Sequence, residues 1–200
     1  MASLLDVVLT CDNYVRDGET LVPFSITSDG PIIGLLRPEV VKELLSDNIK
    51  NRSEGIQENW TLCVRPETDV IERMCFAPHL STKEVRSAAI QRLCEGWRDS
   101  GTLFQEVMGP RKWRSELYAI YENCFGPRVV RDPKLSYPHS DGLDPNVHAA
   151  GEANHVFDIE RSAAALFGLV TYGIHMTVYE RDDDGVVKIW VPTRAKTKQT

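Results

Sequence analysis

The chain has 200 residues, 42% hydrophobic and 26% charged, with a net charge of −6 and a pI near 5.4. That length suits one sizeable domain or one and a part, with the balance of an ordinary globular protein. The acidic surplus argues against bulk nucleic-acid binding, which needs a basic surface, but leaves room for a locally basic pocket and an anionic small molecule.

In chain order, the opening stretch MASLLDVVLTCDNYVRDGE has no basic start, and Asp6 breaks its apolar run, so it does not read as a signal peptide. Ser3 suits an N-cap, with Leu4, Leu5, Val7, Val8 and Cys11 on one side of a first helix. LVPFSI (21–26) and PIIGLL (31–36) read as strands around the turn TSDG. In RPEVVKELLSDN, Pro38 suits the first helical position, and Val40, Val41, Leu44 and Leu45 form the apolar face. Residues 46–59 are polar and read as loop. WTLCV (60–64) and DVIERMCF (69–76) are the next strands. Ser81 and Glu84 fit a capping box ahead of a helix from Thr82 to Asp99, whose Val85, Ala89, Ile90, Leu93, Cys94 and Trp97 share a face.

SELYAIYE (115–122) reads as a strand, and residues 126–154, rich in Pro, Gly, Asp and His, as a mobile surface insertion. His139, His148 and His155 are spaced by 9 and 7 residues, which matches no common metal-ligand pattern. DIERSAAALFG (158–168) reads as a short helix with Asp158 as N-cap. Beyond it, Val170, Tyr172, Ile174, Met176 and Val178 alternate with His175, Thr177 and Tyr179, predicting a two-faced strand. DDDG makes a hairpin turn with Gly185 at positive φ, and VVKIWV returns, with Pro192 ending the strand.

No run approaches the ~20 apolar residues that span a bilayer, so the expectation is a soluble, cytoplasmic protein with no membrane partner. The five cysteines, Cys11, Cys63, Cys75, Cys94 and Cys124, are odd in number and contain no C-x-x-C pair, so they read as reduced thiols. There is no phosphate-binding glycine loop, G-x-S-x-G, H-E-x-x-H or EF-hand loop. The run Asp182 to Asp184 reads as a solvated turn. Arg194, Lys196 and Lys198 alternate with small or hydroxyl residues, so an extended chain would point all three one way and could meet a phosphate; the plainer reading is a solvated terminus. His175 is either a hydrogen-bonded structural histidine or one that faces a substrate.

A resemblance enters on IERSAAALFGLVTYGIHMTVYERDDDGVVKIWVPTRAKTKQT. This stretch resembles the thiamine-pyrophosphokinase-related branch of the Nudix hydrolases. There the pattern runs E-R-x-x-x-x-L-F-G, then Y-G-V-H, a hairpin, and W-V-x-R-R-S-x-T-K-x-T. Glu160, Arg161, Leu166, Phe167 and Gly168 match the first element, and Tyr172, Gly173 and His175 the second, with Ile174 for the usual Val. Trp190, Val191, Arg194, Thr197, Lys198 and Thr200 match the last, while Thr193 and Ala195 depart from it. IIGLLRPEVVKEL and KWRSELYAIY resemble upstream elements of the branch more weakly.

The resemblance implies an α+β N-terminal domain over residues 1–165, with a mixed or antiparallel sheet and packed helices. Residues 166–200 would then be the opening β-hairpin of a Nudix α/β/α domain. It also implies a metal-dependent diphosphohydrolase acting on modified or damaged thiamine diphosphate, or on nucleoside-diphosphate-like compounds. In the family the glutamates of the box G-x5-E-x7-R-E-x2-E-E-x-G hold Mg²⁺ and help activate water. These 200 residues contain no such box, so the expectation is an N-terminal portion that is inactive alone, with no cofactor of its own, no catalytic residue and no metal ligand. Arg194, Lys196 and Lys198 are the candidates for phosphate contact, and His175 and Tyr172 for lining the pocket. The alternative is a non-catalytic α/β module that binds a ligand or partner, with the hairpin as its docking edge. The hairpin's open edges leave self-association open as well.

Overall fold

The computed structural model describes residues 20–67, 70–101, 104–128, 145–173 and 177–191, together with Asp6 and Thr193. The architecture is α+β. A four-stranded sheet in the order β2-β1-β4-β3 is built from β1 (Val22–Ser25), β2 (Ile32–Leu36), β3 (Trp60–Arg65) and β4 (Val70–Phe76). It is mixed: β1–β2 and β3–β4 are antiparallel, and β1–β4 is parallel. A second, two-stranded sheet pairs β5 (Leu117–Tyr121) with β6 (His155–Glu160), and a third pairs β7 (Val178–Arg181) with β8 (Val187–Trp190). The helices are α1 (Pro38–Ser53), α2 (Lys83–Asp99), the single turn α3 (Gln105–Met108) and α4 (Pro145–Asn154).

One aromatic core joins the first two sheets. Phe24, Trp60 and Phe76 meet on the four-stranded sheet, Phe157 of β6 sets its edge to Phe76 at 5.4 Å, and Trp97 of α2 stacks on Phe167 at 5.9 Å. Phe167 is fully buried beside Phe24 and Trp60, so residues 166–169 lie on this core. The backbones touch there: a Cβ on Gly168, at φ +57°, would stand 2.2 Å from the Leu35 carbonyl oxygen. A Cβ on Gly34 would stand 2.3 Å from that of Phe167.

Four expectations are corrected. α1 runs through Ser53, past the residues read as loop. Its polar end is used: Asn48 Nδ2 donates to the Trp60 carbonyl (2.7 Å) while its Oδ1 accepts the Trp60 N–H (3.1 Å). Asp47 accepts the indole N–H of Trp60 at 2.8 Å. The cap of α2 is Thr82 rather than Ser81, its hydroxyl accepting from the Val85 N–H. Residues 145–154 of the supposed insertion form α4, and residues 129–144 lie outside the described ones. The stretch 158–168 begins as the end of strand β6 and continues in turns, because Phe157 and Ile159 are drawn into the core and β6 pairs with β5 over its whole length.

The last strand is also shorter than its alternation predicts. Pairing begins at Val178, and Ile174–Met176 lie outside the described residues. Both faces of β7 and β8 are exposed, Val187 at 48%, Ile189 at 60% and Trp190 at 63%, so the expected inner face is not covered. Gly185 does take positive φ, +81°, and Asp182 closes the turn by accepting the Val186 N–H at 2.9 Å.

Among the described residues no helix is long and apolar enough to cross a membrane. Cys63, Cys75, Cys94 and Cys124 are free thiols, and Cys11 lies outside the described residues.

Candidate functional site

Of the residues singled out in the sequence, Tyr172 is the one whose surroundings are described. His175, Arg194, Lys196 and Lys198 lie outside the described residues. Tyr172 forms one wall of a cleft of about 230 Å³ between β5 and the segment Val170–Tyr172, with Tyr118, Tyr121, Thr171 and Arg128 around it.

The cleft is built on a clamped turn. After β5 the chain bends through Glu122 to Arg128, where Asn123 accepts the Phe125 N–H on its side chain and the Gly126 N–H on its carbonyl, both at 3.0 Å. Asn154, the last residue of α4, holds the same turn. Its Oδ1 accepts the Asn123 N–H at 2.8 Å, and its Nδ2 donates to the carbonyls of Asn123 (3.0 Å) and Pro127 (2.8 Å). The Tyr172 hydroxyl then donates to the Cys124 carbonyl at 2.8 Å, fastening the segment after the core to this turn.

The Arg128 guanidinium lies over the Tyr172 ring, its Cζ 3.6 Å from the centroid, an arrangement worth about 0.5–1 kcal/mol at an exposed site. One guanidinium nitrogen donates to the Cys124 carbonyl at 3.3 Å. No carboxylate among the described residues forms an ion pair with Arg128. Its remaining N–H groups are therefore free to meet a carboxylate or phosphate edge-on, the geometry for which a guanidinium fork is suited. Burial pushes the Tyr172 phenol above its ordinary range, with Arg128 pulling the other way, so the hydroxyl remains a donor at neutral pH. Tyr121 sets its edge to Tyr172 at 6.3 Å, and Arg161 sits 5.6 Å over Tyr118 while ion-paired to Glu116.

These groups can bind and orient. The described lining holds phenols, a threonine hydroxyl and a guanidinium, with no carboxylate, imidazole or thiol, so it offers no nucleophile–base pair. Sequence reasoning missed Arg128 because it falls in the stretch read as a mobile insertion. Nothing in local spacing links it to an aromatic far down the chain. Of the histidines, His155 is a buried strand residue whose Nε2 lies 3.2 Å from Asp158, and its ring packs on Tyr121. His139 and the side chain of His148 lie outside the described residues. Among the described residues no three His, Cys, Asp or Glu side chains gather as metal ligands would.

No family model matches the chain. No solved structure matches it either. It is similar to the uncharacterized protein YJR142W of Saccharomyces cerevisiae, 49% identical over 99 residues, which is 49% of this chain and 20% of the yeast protein. The matched stretch thus spans about a fifth of that relative's length.

Proposed function

We propose that this chain is the N-terminal portion of a Nudix-type diphosphohydrolase whose substrates are modified or damaged thiamine diphosphate or nucleoside-diphosphate-like compounds. The observation that carries the reading is the residue match over 159–200, ending on a hairpin whose eight paired residues are all exposed. A first hairpin awaiting the rest of its sheet would look like this, since an isolated pair of strands is marginal in water. The cationic, aromatic cleft at Tyr172 agrees in sign with an anionic substrate. Arg194, Lys196 and Lys198 are assigned to phosphate contact, and Tyr172 and His175 to the pocket wall. On this reading the Mg²⁺ would be held by the family's box, and no step is routed through it here.

On this reading the 200-residue chain, given Mg²⁺ with thiamine diphosphate or a nucleoside diphosphate, releases no phosphate above background. Robust metal-dependent release would overturn the claim that it is inactive alone. Reading the transcript beyond Thr200 tests the family: a Glu-Glu box soon after supports the enzyme. A stop codon there favours a non-catalytic binding module with the hairpin as its docking edge.

A further inference from the structure

A second cleft, of about 440 Å³, opens at the carboxyl ends of the parallel strands β1 and β4. Parallel strands leave a crevice at that end, between the loops that carry the chain away, and small molecules settle there in open α/β sheets. Ile26, Phe76 and Leu80 are buried and form the apolar side of this one. Ser28 from the loop after β1, Thr61 from the head of β3 and Ser81 from the loop before α2 form the polar side. Their three hydroxyls make no hydrogen bond among the described residues, and no carboxylate stands on the lining.

Arg86 of α2 brings the positive charge. Its Nε donates to the Val156 carbonyl at 2.9 Å and one Nη to the Leu80 carbonyl at 3.1 Å, so the guanidinium is held in place before any ligand arrives. The other Nη makes no hydrogen bond among the described residues. Burial pulls the guanidinium below its ordinary range, with Glu122 and Glu84 acting the other way, yet no carboxylate among the described residues forms an ion pair with it. A half-buried guanidinium that is rigidly held and lacks a paired anion suits an incoming oxyanion, since its ordering is already complete.

We propose that this cleft binds a small phosphomonoester, its phosphate met by Arg86 and the hydroxyls of Ser28, Thr61 and Ser81, and its organic part resting on Ile26, Phe76 and Leu80. A phosphate group has three strong acceptor oxygens, one more than a carboxylate, and the donors here come from three separate segments and a helix. The site is distinct from the Tyr172 cleft and does not rest on the hydrolase reading.

Amide NMR shifts of the full 200-residue chain, titrated with phenyl phosphate, test this. The amides of Ser28, Ala77 and Leu80 should shift saturably. Inorganic phosphate should bind at least tenfold more weakly, because it leaves the apolar side empty. Arg86→Lys should weaken phenyl phosphate at least tenfold. Because Arg86 also holds two carbonyls, Thr61→Val is the second variant: it keeps the side-chain shape, removes the hydroxyl, and should weaken binding severalfold at an unchanged unfolding midpoint. Arg128→Ala should bind as the wild type does. Saturable shifts centred on Tyr118 and Arg128 and lost in Arg128→Ala would overturn the proposal by moving the anion to the other cleft. So would wild-type affinity in both Arg86→Lys and Thr61→Val, or no saturation at millimolar phenyl phosphate. A phosphotyrosyl peptide that binds tenfold more tightly than phenyl phosphate would also overturn it, because contacts outside the cleft would then define the ligand.

Discussion

Glu160 is 1% exposed and its carboxylate accepts four hydrogen bonds: from the N–H groups of Arg114 (2.9 Å), Glu116 (3.3 Å) and Ser162 (3.3 Å), and from the Ser162 hydroxyl (3.2 Å). It fixes the approach to β5, where Ser115 takes a left-handed φ of 52°. Glu160→Ala should leave buried donors unpaired and cost about 3 kcal/mol in urea unfolding. Its neighbour in the resemblance, Arg161, stays in partial contact with water, so Arg161→Ala should cost far less. Sequence matching marked both residues equally; only burial separates a structural carboxylate from a surface cation.

Burial also sorts the thiols. Cys75 is 2% exposed, and burial, aided by the neighbouring Cys63, pushes its thiol from the ordinary 9.0 up to about 12. A raised pKa means the folded state holds the proton more tightly. The corresponding stability is fully present below pH 9 and is lost as the pH rises toward 12. Urea midpoints should therefore fall more steeply above pH 9 in the wild type than in Cys75→Ala. In the native state at mildly alkaline pH, iodoacetamide should modify the half-buried Cys63 and Cys124 well before Cys75 and Cys94.

Helix α1 illustrates what local pattern conveys and what it hides. Pro38 and the apolar positions through Leu45 announce its start, but Ser46 to Ser53 is polar and reads as loop. Its continuation rests on Asn48, which gives Trp60 at the head of β3 the two bonds a neighbouring strand would give. A side chain imitating a backbone twelve residues away has no spacing signature. Asn48→Ala should cost about 2 kcal/mol, measured by thermal or urea unfolding, because it leaves the buried Trp60 amide groups unpaired. The stretch DIERSAAALF misleads in the opposite sense. Its alanines favour helix locally, yet Asp158 to Glu160 complete β6 on β5 and the alanines follow in turns, because tertiary pairing overrides local preference. Strands β1 to β5, α2 and the Gly185 turn were readable because each has its own period or punctuation. Tyr172 entered as a candidate only through the resemblance, whereas Arg128 depends on a fold-back that only the assembled chain reveals.

The molecule as a whole is uneven. Its first two sheets share one aromatic core, while the β7–β8 hairpin makes its ladder and little else, with Val187, Ile189, Trp190 and Val191 in water. Exposed apolar strands with open edges invite pairing with another chain. Trp190→Lys combined with Ile189→Lys should lower dye binding and concentration-dependent association. The unfolding free energy should change by no more than about 0.5 kcal/mol, as for surface changes. A loss of several kcal/mol in unfolding free energy would instead mean the hairpin is part of the core's cooperative unit.

The asparagine at the end of α4 has a further consequence. By bonding Asn123 and Pro127 it joins the chain on either side of the connection that leads from Pro127 to α4, so that connection is closed at its base. Closure entropy grows only with the logarithm of length, about 0.6 kcal/mol per doubling. A flexible peptide inserted between Lys134 and Leu135 should thus lower the unfolding free energy by less than about 1 kcal/mol. The same insertion in Asn154→Ala should cost distinctly more.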